Sequence, residues 1–245
     1  MTTPTYDIII AHFGVTPDIT AKAVRCIETI SEFSPLDEVR LIVIDNGSPA
    51  EDWYQITGAI RAADFPNAVV VKNRMNMGFV KAVEQGIAIG TAPYAVILNN
   101  DTEAAPNWLQ LLRQPFDEDP SVAICSPLTT DEGWQGRYAR DNPDARGWVA
   151  LPPGKMVAFF CAMLSRKFLD DVGFRHEEFE QFGGFGGDDY LCEVAGKLGY
   201  RIALQRDLTI KHHRRTTFKA LHSEEQIKEM QDAALARFRQ MKGKL

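Results

Sequence analysis

The first hundred residues alternate short apolar runs with segments of helical periodicity, and this alternation limits the possible folds more than any other feature. A short apolar run between turn signals is typical of a buried parallel strand, and apolar residues spaced three or four apart are typical of a helix. Thr16 and Pro17 favour a helix start, because threonine is a good N-cap and proline suits the first helical position. The predicted strands are 7–11, 41–44, 69–71 and 94–98, with helices after Thr16 and over 78–89.

This order of elements predicts an α/β fold with a mostly parallel central sheet and helices on both faces. Ligands of such sheets bind in the crevice beyond the carboxyl ends of the strands. Polar clusters follow three of the predicted strands at that edge, at 12–14, 45–48 and 99–102. Turn chemistry alone explains Asp45, but three clusters in order predict a binding site.

The second half of the chain is less regular. Residues 131–154 are rich in Gly, Pro, Asp and Arg and predict a long loop of the kind that often carries function. An apolar segment covers 155–165, and the pattern further on predicts a helix over 188–198 and short strands at 201–204 and 208–210. From Ser223 onward, apolar residues at helical spacing predict a docking helix, with a homodimer contact or a membrane-surface helix as the alternative.

Composition narrows the function classes. The 245 residues carry a net charge of −6, so the chain lacks the basic footprint of a general nucleic-acid binder. Lys211, Arg214 and Arg215 are predicted to form either a local basic patch or a solvated basic turn. The four cysteines lie in apolar stretches without metal-ligand spacing and are expected to be buried free thiols. No apolar run reaches the roughly 20 residues that span a bilayer. We therefore expect a cytoplasmic protein without a transmembrane segment.

The polar clusters and several later motifs together resemble the family 2 glycosyltransferases, which have the Rossmann-like GT-A fold. Residues 45–48 resemble the family's segment that contacts the base, and Asn76 and Gly78 resemble the start of the helix after the third strand. Residues 98–102 resemble its aspartate-rich metal motif. The resemblance continues through 160–173 and 186–192 to 210–213, and covers roughly residues 5–217.

The resemblance implies an inverting, divalent-metal-dependent enzyme that moves a sugar from a nucleotide-diphosphate donor to an acceptor hydroxyl. It implies one GT-A domain over 1–222, with a nucleotide-sugar-binding half (1–101) and an acceptor-binding half (102–222), before the C-terminal helix 223–245. The residues that it places at the donor are Asp45, Asn76, Gly78, Asn99 and Asn100, and His12 is predicted to line the same pocket because it lies at the end of the first predicted strand.

A metal site follows from the chemistry of the donor, because a divalent cation neutralises the charge that grows on a departing nucleotide diphosphate. Asp101 is the candidate ligand, being the one carboxylate in its cluster. Asn99 stands where the family often has a second aspartate, and is expected to contact the ribose or to bind through water. The resemblance also implies a ligand at His212 or the adjacent His213, of which only one is expected to face the site. Oxygen ligands favour Mg²⁺ or Mn²⁺, and an imidazole favours Mn²⁺.

The general base is predicted in the acidic pair Asp188 and Asp189, which follows a glycine run and opens a predicted helix. An inverting transfer needs a carboxylate that takes the proton of the acceptor hydroxyl. Counting back from Leu191 and Cys192 places the family's base at Asp188, whereas counting forward from Gly186 places it at Asp189. The helix register favours Asp188, and both stay candidates.

Two other functions remain open for this pattern. A sugar-nucleotide nucleotidyltransferase has a similar sheet, but the segment after the first strand, 12–17, lacks the lysine or arginine of a phosphate loop. A non-catalytic sugar-nucleotide-binding or scaffold protein is the other alternative, suggested by Asn99 and the altered acidic motif. The sequence also leaves the acceptor open between a glycan, a lipid-linked sugar, a protein side chain and a modified nucleobase.

Overall fold

The computed structural model describes residues 3–174, 177–214 and 216–243. Its first half alternates strands and helices as predicted, with one further helix, over Ala50–Ala62, that the sequence analysis does not predict. The N-cap Thr16 accepts a hydrogen bond from the Ile19 backbone N–H (3.4 Å), so the predicted helix start is confirmed. The elements of this half are β1 (Tyr6–His12), α1 (Pro17–Phe33), β2 (Val39–Asp45), α2 (Ala50–Ala62), β3 (Ala68–Lys72), α3 (Phe79–Ile89) and β4 (Tyr94–Leu98).

The second half contains more regular structure than the sequence pattern indicates. Its strands are β5 (Thr102–Glu103), β6 (Val122–Thr129), β7 (Trp148–Ala150), β8 (Cys161–Ser165) and β9 (Arg201–His212). Its α-helices are α4 (Trp108–Glu118), α5 (Trp134–Asp141), α6 (Arg166–Val172), α7 (Gly187–Lys197), α8 (Thr216–Leu221) and α9 (Glu224–Lys242), and a 3₁₀ helix covers Glu177–Phe182.

The strands form a mixed sheet in the order β3-β2-β1-β4-β8-β6-β9-β5, with β7 paired to β9. The first four strands in this order are parallel to their neighbours, and β8 enters antiparallel between β4 and β6. Ile8 and Ile10 of β1 pack in one buried cluster and Ile9 in another, because successive residues of a strand point to opposite faces. The predicted α/β sheet, covered by helices on both faces, is confirmed.

Two predictions about local structure are wrong. Residues 131–154 are not a single loop, because they contain α5 and β7. The two short strands predicted at 201–204 and 208–210 are one strand, β9, whose register against β6 shifts between Pro127 and Leu128. The polar residues at this irregularity interrupt the apolar pattern without ending the strand.

The C-terminal helix α9 packs on the chain itself. A capping box fixes its start, since Ser223 and Gln226 each accept a hydrogen bond from the other's backbone N–H. Ile227 and Ala234 are buried within the chain. The docking helix is therefore confirmed, and the structure gives no support to a dimer through it. Across the described ranges, no helix is long and apolar enough to cross a membrane.

Asp7 is a buried charge at the amino end of β1, remote from the carboxyl edge of the sheet. Its side chain is 0% exposed, lies 3.2 Å from the Arg166 guanidinium and 3.6 Å from that of Arg40, and accepts the Ala92 backbone N–H at 2.7 Å. A buried charge is tolerated only with such partners. This network ties β1 to the loop before β4 and to the start of α6.

We expect Asp7→Ala to lower the free energy of unfolding by about 3 kcal/mol, because it leaves two cations and a buried N–H without their acceptor. Urea unfolding followed by circular dichroism measures this change. Asp18→Ala is the matched control, since Asp18 pairs with Lys22 while 71% exposed, and should cost less than about 0.5 kcal/mol. Equal losses in the two variants would contradict the role given to Asp7.

Candidate active site

A cavity of about 790 Å³ lies beyond the carboxyl ends of β1, β2 and β4, within the usual size range of small-molecule sites. Of the predicted donor-binding residues, Asp45 is not among the described residues that line it. It is fully buried, its Oδ1 accepts the Ser48 backbone N–H (3.0 Å), and its Oδ2 lies 3.4 Å from the Lys72 ammonium. A contact between Asp45 and a donor stays a prediction. The predicted donor residues that do line the cavity are His12, Asn76, Gly78, Asn99 and Asn100.

Asn46, rather than Asp45, presents its side chain to the cavity from the end of β2. Its amide nitrogen donates to Asn76 Oδ1 (2.7 Å) and to the Gly78 carbonyl (3.0 Å), and its Oδ1 accepts the Met77 backbone N–H (2.9 Å). These bonds hold the loop before α3 against the turn after β2. Gly47 permits the approach, because its φ of 89° suits glycine and a Cβ there would lie 2.7 Å from the Met75 backbone.

His12 is held in a buried polar chain at the end of β1. Its Nε2 lies 2.7 Å from Asp52 Oδ2, and its Nδ1 lies 2.8 Å from the Asn100 amide nitrogen. Burial alone would raise the pKa of Asp52, but hydrogen bonds from His12, Thr20 and Ser48 outweigh it and lower the pKa, so Asp52 is a carboxylate that accepts the Nε2 proton. Nδ1 then accepts from Asn100, which fixes the Asn100 side chain.

The predicted metal ligand Asp101 faces His212 across the cavity floor. Antiparallel pairing of Thr102 with His212 brings the end of β4 beside the end of β9. Asp101 Oδ1 lies 3.3 Å from His212 Nε2, and Asp101 Oδ2 accepts the Thr216 hydroxyl at 2.8 Å. Burial would raise the pKa of Asp101, but the hydrogen bonds from His212 and Thr216 lower it, so Asp101 stays ionised.

His212 lies between two carboxylates. Its other nitrogen, Nδ1, is 2.7 Å from Asp131 Oδ2, and its ring stacks on Phe160 with centroids 5.0 Å apart. Burial lowers the pKa of His212, but hydrogen bonds to Asp101 and Asp131 outweigh this and raise it. A cation between Nε2 and Asp101 can therefore replace a proton that this site already favours.

The neighbouring histidine points elsewhere. His213 Nε2 lies 3.1 Å from Glu103 Oε1, and its backbone N–H donates to the Asp101 carbonyl at 3.0 Å. His213 is not among the described residues that line the cavity, whereas His212 is. Of the pair, His212 is the one that the structure places at the cavity, and its role as a metal ligand stays a prediction.

The acidic pair lies at the start of α7, which follows Gly186 with a φ of 84°. Asp188 lines the same cavity as Asp101, whereas Asp189 is not among the described lining residues. Burial, and then the charge of Asp189, raise the pKa of Asp188 to about 7, and burial raises that of Asp189. Asp188 also accepts the Phe159 backbone N–H. A carboxyl group with this pKa suits proton transfer near neutral pH.

The surrounding cationic residues divide between surface and cavity. Lys72 pairs with Asp45 and lies over the Trp53 ring, and Lys211 pairs with Glu103. Arg214, from the predicted basic patch, lines the cavity, and Arg215 of that patch lies outside the described residues.

The two tryptophans that flank the predicted loop also separate. Trp134 lines the cavity, whereas Trp148 donates from Nε1 to Glu118 Oε2 at 2.6 Å on the outer surface. Only Trp134 is placed to contact a bound ligand.

Sequence reasoning missed Asn46, Asp52, Asp131 and Thr216. Asn46 lies in the strand-end segment 45–48, directly after Asp45, and this position is a signal that could have identified it. Asp52, Asp131 and Thr216 carry no signal of their own, because each looks like ordinary helix or turn chemistry. Their partners are 32 or more residues away in sequence, and only the fold brings them together.

A divalent cation fits Asp101 and His212. Their facing oxygen and nitrogen atoms are 3.3 Å apart, a separation that one ion can bridge with ligand distances of about 2.0–2.2 Å. Within the described ranges, no group of three or more His, Cys, Asp or Glu residues forms a complete metal cage. A two-ligand site suits an ion that also binds substrate phosphates, as Mg²⁺ commonly does.

Comparison with known proteins identifies the family and the fold of the chain. The sequence profile of the family described as Glycosyl transferase family 2 matches residues 8–173. The chain is similar to the glucosyl-dolichyl phosphate glucuronosyltransferase of Haloferax volcanii, with 21% identity over 154 residues. The match covers 62% of this chain and 47% of that relative, so the chain spans about half the length of the curated relative it matches.

Two solved structures share the fold. The mannosyltransferase PcManGT from Pyrobaculum calidifontis, in complex with GDP-Man and Mn²⁺, aligns with a TM-score of 0.65 and 17% identity, covering 86% of this chain and 57% of the other. GalNAc-T7 with UDP, GalNAc and Mn²⁺ aligns with a TM-score of 0.69 and 14% identity, covering 85% and 43%. At these identities the likeness is one of fold.

Proposed function

Because the chain belongs to glycosyl transferase family 2 and has the GT-A fold, we propose that it transfers a sugar from a nucleotide-diphosphate donor to an acceptor hydroxyl. The proposed reaction is a single displacement that inverts the anomeric carbon and depends on Mn²⁺ or Mg²⁺. One observation carries the proposal: the Asp101–His212 pair and Asp188 line the same cavity. A binding module without catalysis has no need of a base beside a metal site.

Asp101 and His212 would hold the divalent cation, which supplies Lewis-acid neutralisation of the leaving diphosphate. Mixed oxygen and imidazole ligands favour Mn²⁺, and the two structural relatives were solved with Mn²⁺.

Asn99 lies beside this pair and lines the cavity, with its amide nitrogen 3.4 Å from His212 Nε2. This position suits a contact with the donor's ribose or with a water on the ion.

Asp188 is the proposed general base. Its carboxylate takes the proton of the acceptor hydroxyl as that oxygen forms the new bond to the anomeric carbon and the bond to the diphosphate breaks. A raised pKa favours this role, because a carboxylate that binds protons tightly is a stronger base. Asp189 acts on Asp188 through its charge.

The experiment that tests this function is a thermal-shift screen of uridine- and guanosine-diphosphate sugars with Mn²⁺ and with a chelator. A donor at about 100 times its Kd should stabilise the native state by about 2.7 kcal/mol, which raises Tm by about 5–10 °C in a protein of this size. We expect the shift to vanish with the chelator. A shift that persists without metal would contradict metal dependence, and no shift with a broad donor panel would contradict the function.

Stereochemistry is tested on the product. The anomeric proton coupling in the product's NMR spectrum should show the configuration opposite to that of the donor sugar. Retention would contradict a single displacement assisted by Asp188. Release of pyrophosphate from a nucleoside triphosphate and a sugar phosphate would instead support a nucleotidyltransferase.

A further inference from the structure

We propose that Asp131 is a positioning residue for the metal site, acting through His212. The inference rests on the proposed function. The distance of 2.7 Å between Asp131 Oδ2 and His212 Nδ1 is that of a strong hydrogen bond. A carboxylate has no proton to donate, so the Nδ1 of His212 carries the hydrogen.

This hydrogen bond decides what the opposite nitrogen can do. With the hydrogen on Nδ1, a neutral His212 presents the Nε2 lone pair to Asp101, 3.3 Å away. Two lone pairs at that distance repel unless a proton or a metal cation lies between them, and a metal cation that binds there takes the place of the proton. Asp131 therefore selects the tautomer that binds a metal and increases the basicity of Nε2, as carboxylates behind metal-binding histidines commonly do.

The surroundings of Asp131 hold it in place. Its side chain is 9% exposed and that of His212 8%, so water competes little for their bond. The other oxygen, Oδ1, accepts the Gly133 backbone N–H immediately before α5. Phe160 stacks on the imidazole and limits rotation of the ring. The ring is thus fixed by a hydrogen bond at one edge and an aromatic surface on one face.

The role predicts a graded loss of metal affinity. Electron paramagnetic resonance of Mn²⁺, titrated into the protein with UDP or with GDP, measures that affinity directly. Asp131→Ala should weaken Mn²⁺ binding by about 10–100-fold, and Asp131→Asn, which keeps an acceptor oxygen, should weaken it less. Glu132→Gln is the matched control, because Glu132 is the next residue and pairs with Arg140 while 80% exposed. Unchanged affinity in Asp131→Ala would overturn the proposal.

A double-mutant cycle separates positioning from direct ligation. If Asp131 acts through His212, Asp131→Asn should have no further effect on Mn²⁺ affinity in a His212→Ala background. An equal loss in both backgrounds would overturn the proposal, because it would show that Asp131 reaches the ion or the fold by another route.

The tautomer can be measured without metal. The ¹⁵N NMR spectrum of His212, taken where the imidazole is neutral, should show the hydrogen on Nδ1 in the native protein and a mixture in Asp131→Ala. A native His212 with its hydrogen on Nε2 would overturn the inference whatever the protein binds. A native protein with the expected tautomer that binds neither Mn²⁺·UDP nor Mn²⁺·GDP would contradict the proposed function instead.

Discussion

Replacing Asp188 with asparagine is expected to lower the rate of sugar transfer by about 10²–10⁴-fold while leaving donor binding within about twofold of the native protein. The amide keeps the shape of the side chain at the start of α7 but cannot take a proton from the acceptor. Because Asp188 is not one of the two residues proposed to bind the metal, the Kd of the protein for Mn²⁺ and nucleotide should stay unchanged. Single-turnover transfer and donor titration measure the two effects separately.

The comparison variant for this prediction is Asp189→Asn. Asp189 is not among the described residues that line the cavity, so its loss should cost far less activity than that of Asp188. Removing its charge should also lower the pKa of Asp188 from its raised value, because that charge contributes to the shift. Equal losses from both variants, or normal turnover in Asp188→Asn, would contradict the assignment of the base.

The raised pKa of Asp188 also predicts a pH dependence of activity. Since the base acts when deprotonated, kcat should rise with pH and level off above the native pKa of about 7. The pH profile of Asp188→Asn should lack this ascending limb, because position 188 of the variant carries no carboxylate whose protonation could limit the rate. A kcat that is flat from pH 5 to 8 would contradict this role.

Stability should show the opposite trend. Between the ordinary pKa of an aspartate, about 4, and the native value of about 7, the unfolded chain has lost a proton that the native protein keeps. Native stability therefore falls as pH rises through this window. Asp188→Asn removes the free-energy cost of ionising this buried carboxyl group. The variant should therefore be more stable than the native protein by about 2 kcal/mol at pH 8, a value that allows for screening by water in the cavity. At pH 4 the two proteins should be nearly equal in stability.

Replacing Asp101 with alanine is the second substitution with a large expected effect. It removes the carboxylate that faces His212 Nε2 at 3.3 Å, and with it one of the two protein ligands proposed for the cation. We expect Mn²⁺ affinity in the presence of UDP or GDP to fall by at least about 100-fold and transfer by about 10³-fold, because metal stabilisation of the leaving group contributes several kcal/mol. Isothermal titration and product formation measure these losses.

The matched control is Glu103→Gln, which removes a carboxylate two residues away. Glu103 pairs with Lys211 and His213 outside the cavity lining, so its loss should change Mn²⁺ affinity by less than about fivefold. His212→Ala should resemble Asp101→Ala, and His213→Ala should resemble the control. Full Mn²⁺-dependent turnover in Asp101→Ala would contradict the metal site.

The first half of the fold was predictable because its strands are short, apolar and bounded by turn residues. The edge of the sheet where ligands bind follows from that pattern, and the predicted residues His12, Asn99 and Asp101 do meet there. The sequence, however, did not show which of His212 and His213 faces Asp101. Adjacent residues of a strand point apart, so His213 lies beside Glu103 and His212 lies on the other face. The distance of 3.3 Å between His212 Nε2 and Asp101 Oδ1 shows which of the two faces Asp101.

The rest depends on contacts that are distant in sequence. Asp131 resembles a turn residue until β9 brings His212 beside it, 81 positions later. The helix α5 was mistaken for loop because it is only 8 residues long, starts after Gly133 and buries little besides Gln135. Polar residues within β9 interrupt its apolar run, so the sequence pattern predicted two strands instead of one. The strand continues through this irregularity because neighbouring strands stabilise it on both sides.

The most direct test of the proposed metal site is anomalous X-ray diffraction at the manganese edge from crystals grown with Mn²⁺ and UDP or GDP. We expect one strong peak within about 2.5 Å of both Asp101 Oδ1 and His212 Nε2, touching the diphosphate. A nucleotide bound in the cavity with its manganese peak away from these two side chains would contradict a metal site at Asp101 and His212.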